Sequence, residues 1–227
     1  MECFCGERAE DSLVSSFRKF STTNLSDALD KLGLKSGVIG ILPAFDCPKL
    51  VGRAVTIKVT AYGMVKSRYH LGTEAIEAAR PGDIIVIDNG GRKDVSCWGE
   101  VLSYAAQIKG VAGVVIDGAF RDLDAIREIR FPVYARGVVP VTARGRITQE
   151  SFNQLIQCGG AQVRPSDIIV ADASGVVVIP VEKAEEVLSV ASELLEKETA
   201  MIEELKRGIP LIEVEKKFQY EKMLKQP

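Results

Sequence analysis

Apolar runs separated by short polar stretches divide the chain into alternating strands and helices. Residues 50–60 (LVGRAVTIKVT) alternate with the period of a half-buried strand, and 83–88 and 111–117 are compact β-forming runs. Residues 70–80, 100–109 and 122–129 carry helical spacing, the first of them stopped by Pro81. Residues 12–34 read as helical, with Ser26-Asp27 as a cap before Ala28-Leu29-Asp30-Lys31-Leu32 and Gly33 closing the turn. Residues 89–98 read as a polar loop, and strands follow in succession between 131 and 180, including 168–171 and 176–180. A long helix over 182–208 comes last, before a charged, amphipathic extension over 209–227. This order predicts a mixed α/β fold with one domain over residues 1–208.

Two segments resemble each other: residues 80–91 read RPGDIIVIDNGG and residues 164–175 read RPSDIIVADASG, with 8 of 12 positions identical. Pro-x-Asp before β-formers is a common strand opening, so two windows do not establish a repeat. Both place an aspartate, Asp88 and Asp172, at an expected strand tip.

Composition narrows the chemistry. With 29 basic and 31 acidic residues the net charge is −2, which gives no electrostatic reason to expect nucleic acid or an anionic membrane as partner. No apolar run reaches the ~18 residues of a membrane span, and the N-terminus lacks the basic-then-apolar pattern of a signal peptide. The five cysteines, Cys3, Cys5, Cys47, Cys97 and Cys158, form no Cys-x-x-Cys pair and read as reduced thiols of a cytoplasmic protein. His70 is the single histidine, which leaves little room for a Ser-His-Asp triad or a two-His zinc site. Carboxylates with a hard divalent cation are the more economical chemistry.

Three places could carry it. Residues 114–124 (VVIDGAFRDLD) run from a buried strand that ends at Asp117, through a turn at Gly118, to Arg121-Asp122 at a helix start, where α/β proteins collect ligands. There an arginine can clamp a carboxylate while an aspartate binds a cation. The alternative is that Asp122 only caps the helix and Arg121 is solvated. Residues 88–102 contain Asn89-Gly90-Gly91, and Gly99 precedes Glu100, Val101 and Leu102, whose free amides could bind a carboxylate. The alternative is a plain loop, with Trp98 as a packing residue. In the C-terminal helix Glu198 falls on the apolar stripe of Leu188, Ala191, Leu195, Ile202 and Leu205. It needs a cation or donor partner unless it sits at the stripe's edge and reaches solvent. His70 has no nearby acid and reads as structural or surface-exposed.

Together, Ser26-Asp27-Ala28-Leu29, Pro81-Gly82-Asp83, Trp98-Gly99-Glu100, Gly113 to Gly118 with Arg121-Asp122, and Lys197-Glu198 resemble the class II pyruvate aldolases. These cleave 4-hydroxy-4-methyl-2-oxoglutarate and 4-carboxy-4-hydroxy-2-oxoadipate, and share their family with the RraA ribonuclease regulators. The resemblance implies a three-layer β/β/α, swivelling-domain-like fold with a long C-terminal helix, assembled as a trimer or hexamer with sites between subunits. It implies that Asp122 binds Mg²⁺ or Mn²⁺ directly and that Arg121 holds substrate. The amides of Gly99, Glu100, Val101 and Leu102 would bind the pyruvoyl carboxylate. Glu100, and Glu198 from a neighbouring subunit, would act through water.

The activity implied is retro-aldol cleavage of a 4-hydroxy-2-oxo acid to pyruvate, with oxaloacetate decarboxylation through the same enolate. Two other readings stand beside it: a non-catalytic regulator binding a ribonuclease, and a lyase for another 2-oxo acid. Retention of Asp122 after Arg121 favours the enzyme. Glu100, where the aldolases resembled would have aspartate, and the extension after Gly208 depart from the pattern.

Overall fold

The computed structural model describes residues 11–35, 37–64 and 67–219; Cys3, Cys5 and the end of the charged extension lie outside the described residues. The strands are β1 (Gly37–Val38), β2 (Leu42–Pro43), β3 (Leu50–Ala61), β4 (Ile84–Ser96), β5 (Gly113–Phe120), β6 (Val133–Val138), β7 (Ile147–Phe152), β8 (Ile156–Cys158), β9 (Ala161–Val163), β10 (Ile168–Asp172) and β11 (Gly175–Ile179). The helices are α1 (Ser12–Ser16), α2 (Thr22–Lys31), α3 (Thr73–Ala78), α4 (Glu100–Ile108), α5 (Leu123–Glu128), α6 (Ala184–Lys206) and α7 (Leu211–Phe218).

The fold is mixed α/β with a long C-terminal helix. One sheet runs β1-β11-β10-β3-β4-β5-β6-β2, with β7 also on β3, and β8-β9 form a separate hairpin. Strand β3 joins its two halves. Its first residues pair antiparallel with β10 (Arg53 opposite Ile168), its middle pairs parallel with β4 (Ala54 opposite Ile84), and its end pairs with β7. The sheet bends at β3, and its two halves face each other across a core of Leu50, Ala54, Val86, Val115, Tyr134, Ile169 and Val178. Outside the parallel half, α3, α4 and α5 cover Ile57, Ile85, Val114 and Val133. Outside the other half, α1, α2, α6 and α7 cover Val51, Val170 and Ile179. Every residue of β5 is buried, as befits a parallel strand covered on both faces.

Several boundaries differ from the sequence expectation. The helical stretch expected over 12–34 is two α-helices joined through a 3-10 turn at Phe17–Lys19, and Ser26-Asp27 lies inside α2 rather than capping a helix. The cap of α2 is Ser21, which accepts from the Asn24 amide at 3.1 Å while Asn24 reaches back to the Ser21 amide. Phe17 and Phe20 at the break are fully buried, so core contacts outweigh helical continuity. The polar loop expected at 89–98 is strand as far as Ser96, because Gly90 and Gly91 take positive φ and carry β4 through a bulge. Asp88 therefore lies within β4 rather than at its tip. Strand β5 likewise passes Asp117 and Gly118 to Phe120. At Gly118 a side chain would collide with Asn89, whose Nδ2 stands 2.8 Å from the would-be Cβ.

Candidate active site

The parallel strands β4 and β5 end side by side, and that pairing builds the site. The Cys97 amide donates to the Ala119 carbonyl and the Arg121 amide to the Trp98 carbonyl, each at 3.0 Å. The turn before α4 is thereby fastened to the turn before α5. Trp98 is buried, stacks on Phe131 with ring centroids 6.3 Å apart, and donates from its indole N–H to Ser103 Oγ at 2.8 Å. It forms a rigid floor beneath Gly99, at the start of α4.

Asp122 stands at the start of α5, yet it does not cap that helix with its side chain. Its backbone is left-handed at φ 62°, a conformation aspartate tolerates better than most side chains and one often found at functional sites. The carboxylate turns across to α4: Oδ2 accepts from the Glu100 amide at 3.1 Å and lies 3.3 Å from Arg121 Nε. The bare α-carbon of Gly99 makes this approach possible, since a Cβ there would sit 2.7 Å from Asp122 Oδ2. The reading of Asp122 as a simple cap of its own helix is thus replaced by a carboxylate spanning two helix starts.

These groups line one cleft, open to solvent, with His70, Ser96, Cys97, Trp98, Gly99, Glu100, Val101, Leu102, Thr142, Ala143 and Arg144. The Glu100 amide is engaged by Asp122, while those of Val101 and Leu102 begin the helix with no preceding carbonyl of that helix to receive them. The structure therefore brings Gly99, Glu100, Val101, Leu102, Arg121 and Asp122 together.

Glu198 is not among the cleft residues of its own chain. It is half-buried on α6 and accepts from Asn24 Nδ2 at 2.6 Å, the donor its place on the stripe called for. Asp27 on α2 has its carboxyl pushed up by burial and by the charges of Glu198 and Asp30.

Sequence reasoning passed over His70, Thr142 and Arg144. His70 is exposed, as the surface reading held, but at the cleft. Burial together with the charges of Arg144 and Arg121 lowers its pKa, so the imidazole is neutral at pH 7. Its being the sole histidine was the one available signal; nothing in the sequence links 142–144 to 121. Cys97, also in the lining, is inert: burial pushes its thiol up to about 12.

Among the described residues no cluster of three or more His, Cys, Asp or Glu side chains could hold a metal. A hard cation of the Mg²⁺ type needs less, commonly one or two carboxylates with water and substrate oxygens completing its shell, and Asp122 with Glu100 nearby fits that requirement.

Adjoining strand ends, a helix start with free amides, and a carboxylate beside a guanidinium mark this cleft as the candidate site of an α/β protein. A family model described as RraA-like (Aldolase/RraA) matches residues 22–178, and the chain belongs to that family. A protein of Halalkalibacterium halodurans, provisionally named 4-hydroxy-4-methyl-2-oxoglutarate aldolase, is 37% identical over 187 residues, covering 81% of this chain and 84% of the relative. Protein DlpA of Legionella pneumophila is 30% identical over 178 residues, 78% of this chain, and the match spans only 29% of DlpA. Among solved structures, an uncharacterized protein from Pseudomonas syringae pv. tomato superposes with TM-score 0.80 at 29% identity, covering 90% of this chain and 97% of that one. Streptomyces coelicolor RraAS2, described as an unusual member of the RNase ES inhibitor RraA protein family, gives 0.76 at 28% identity, with coverages of 85% and 96%.

Proposed function

We propose that this protein is a carbon–carbon lyase that cleaves a 4-hydroxy-2-oxo acid, such as 4-hydroxy-4-methyl-2-oxoglutarate, to pyruvate with the help of Mg²⁺ or Mn²⁺. The observation that carries the reading is the Asp122 carboxylate beside Arg121 at the open start of α4. The name of the Halalkalibacterium relative supports it. When bound, the divalent cation would supply Lewis-acid chemistry for the 2-oxo acid.

Asp122 would hold the cation. The Val101 and Leu102 amides, at the positive end of the α4 dipole, receive the pyruvoyl carboxylate and fix its plane. The C4 hydroxyl proton passes to solvent as the C3–C4 bond breaks, C4 leaves as a carbonyl, and the bond's electron pair collects as negative charge on the keto oxygen. Arg121, a preorganised charge in a cleft floored by Trp98, stabilises that enolate until C3 takes up a proton to give pyruvate. Oxaloacetate would lose CO₂ through the same enolate. Glu100, and Glu198 from a second copy of the chain in a trimer or hexamer, would order water around the cation.

A second reading, a regulator that binds a ribonuclease, is favoured by the description of RraAS2. One experiment separates them. Pyruvate release from 4-hydroxy-4-methyl-2-oxoglutarate and from oxaloacetate is followed with Mg²⁺ or Mn²⁺, with chelator, and in Asp122→Ala. The lyase reading expects metal-dependent turnover that falls at least ~100-fold in the variant, the scale of losing a principal charge-stabilising group. Turnover of neither substrate with metal present would discard it in favour of the regulator.

A further inference from the structure

The cleft holds two arginines, and only one has work in the reaction above. Arg121 is tied to Asp122 at 3.3 Å. Arg144 makes no ion pair among the described residues, although it lines the same cleft from the loop between β6 and β7. Its loop is anchored on both sides of it. The Ser96 amide and hydroxyl both donate to the Val141 carbonyl, at 2.9 and 2.7 Å, and the side chain of Ala143 is buried in the core. The Arg146 and Ile147 amides close the turn on the Ala143 carbonyl at 2.9 and 3.0 Å. A guanidinium on an anchored turn, facing a cleft and without an acid of its own, is a prepared receptor for an anionic group. His70 brings no competing charge, being neutral at pH 7.

We propose that Arg144 is a specificity-determining residue, holding an acidic group on the part of the substrate that departs as the carbonyl fragment. The proposal rests on the retro-aldol reading. With the pyruvoyl end at Asp122, Arg121 and the α4 start, a substrate filling the cleft extends its C4 substituents toward the remaining walls. Of these, the 142–144 loop alone carries a full positive charge. The substrate named above, 4-hydroxy-4-methyl-2-oxoglutarate, carries such a carboxylate on C4, and the inference concerns the residue that receives it.

The test compares kcat/KM for 4-hydroxy-4-methyl-2-oxoglutarate with that for 4-hydroxy-4-methyl-2-oxopentanoate, which has a methyl group in place of the C4 carboxylate. Wild type is set beside Arg144→Gln and Arg144→Lys. The ratio between the two substrates does not depend on how much of a variant folds. Wild type should favour the dicarboxylate, and Arg144→Gln should shrink that preference about 10- to 100-fold, mainly through KM, the scale of one charge-assisted hydrogen bond. Arg144→Lys should recover part of it. An unchanged ratio in Arg144→Gln, or a wild type indifferent to the acidic arm, overturns the assignment while leaving the lyase reading intact. Should wild type also fail to exchange the C3 hydrogens of pyruvate with deuterium in the presence of Mg²⁺ or Mn²⁺, the retro-aldol reading falls, and this assignment with it.

Discussion

The two look-alike segments, residues 80–91 and 164–175, share a local design and part company in what they serve. Each opens with a tight turn after Arg-Pro, in which the third residue takes positive φ: 88° at Gly82 and 72° at Ser166. Each turn is closed by an aspartate that accepts the arginine's amide at 2.8 Å, Asp83 from Arg80 and Asp167 from Arg164. Each strand then carries a second aspartate with one oxygen on the amide two residues ahead, Asp88 to Gly90 at 3.0 Å and Asp172 to Ser174 at 2.9 Å. The other oxygen takes a distant amide, Gln157 for Asp88 and Thr22 for Asp172. Both strands flank β3, one parallel and the other antiparallel.

Beyond that shared core they diverge. After Asp88 the chain bulges through two glycines and runs on as strand to Ser96, leading into Trp98 and Gly99, so this segment delivers the cleft. After Asp172 the chain reverses into β11, and the aspartate instead grips Thr22 by both its amide and its hydroxyl at the start of α2. From α2, Asn24 holds Glu198. Closely similar local sequence thus sets the same turn twice, while neighbours in space decide where each arm leads.

The comparison can be broken most directly at the closing aspartates. Asp167 is buried and accepts from the Arg164 amide, the Arg164 guanidinium and the Val181 amide, whereas Asp83 takes only the Arg80 amide among the hydrogen bonds described and is partly exposed. Asp167→Ala should cost about 2–4 kcal/mol and Asp83→Ala about 1, read from urea unfolding midpoints. Equal losses would mean that the two turns do equivalent work.

Acid titration comes next in size. Burial pushes the Asp172 carboxyl upward, but the Thr22 hydroxyl and amide outweigh it and hold the pKa below its ordinary value. Its stabilisation is therefore present above about pH 4 and lost as the pH falls through the lower folded value. Burial raises Asp83, partly offset by the Arg80 amide, so stability there declines as the pH rises through that window. Asp172→Asn should lose about 1–2 kcal/mol at pH 7 and less at pH 3. Asp83→Asn should lose nothing at pH 7; a loss as large as that of Asp172→Asn would contradict the opposed shifts.

The smallest effect lies in the turns themselves. A side chain at positive φ is strained, so Ser166→Gly should raise stability and Gly82→Ser lower it, each by about 0.5–1 kcal/mol in thermal unfolding.

Much of this was legible in the sequence where burial is two-sided. The unbroken apolar runs of β4 and β5 announce covered parallel strands, and Arg121-Asp122 and Gly99 fall at the strand-to-helix passages where ligands gather. What stayed hidden was set by packing between distant parts. Asn89-Gly90-Gly91 looks like a turn and is a bulge, because β5 continues alongside to receive the rest of β4. Ser26-Asp27 looks like a cap, whereas buried Phe17 and Phe20 place the break earlier, at Ser21. The direction of the Asp122 carboxylate depends on the empty side of Gly99, and Arg144 reaches the cleft only because Ser96 holds its loop.

Strand β3 gives the molecule one further property. A single stretch of twelve residues is a member of both facing halves of the sheet, hydrogen-bonded to β10, β4 and β7 along its length. The layers therefore cannot come apart as independent units, and opening either one frays the strand that the other depends on. The cleft on the parallel half and the Glu198 face on the opposite half are mounted on one cooperative frame. A destabilising change beneath one is felt under the other.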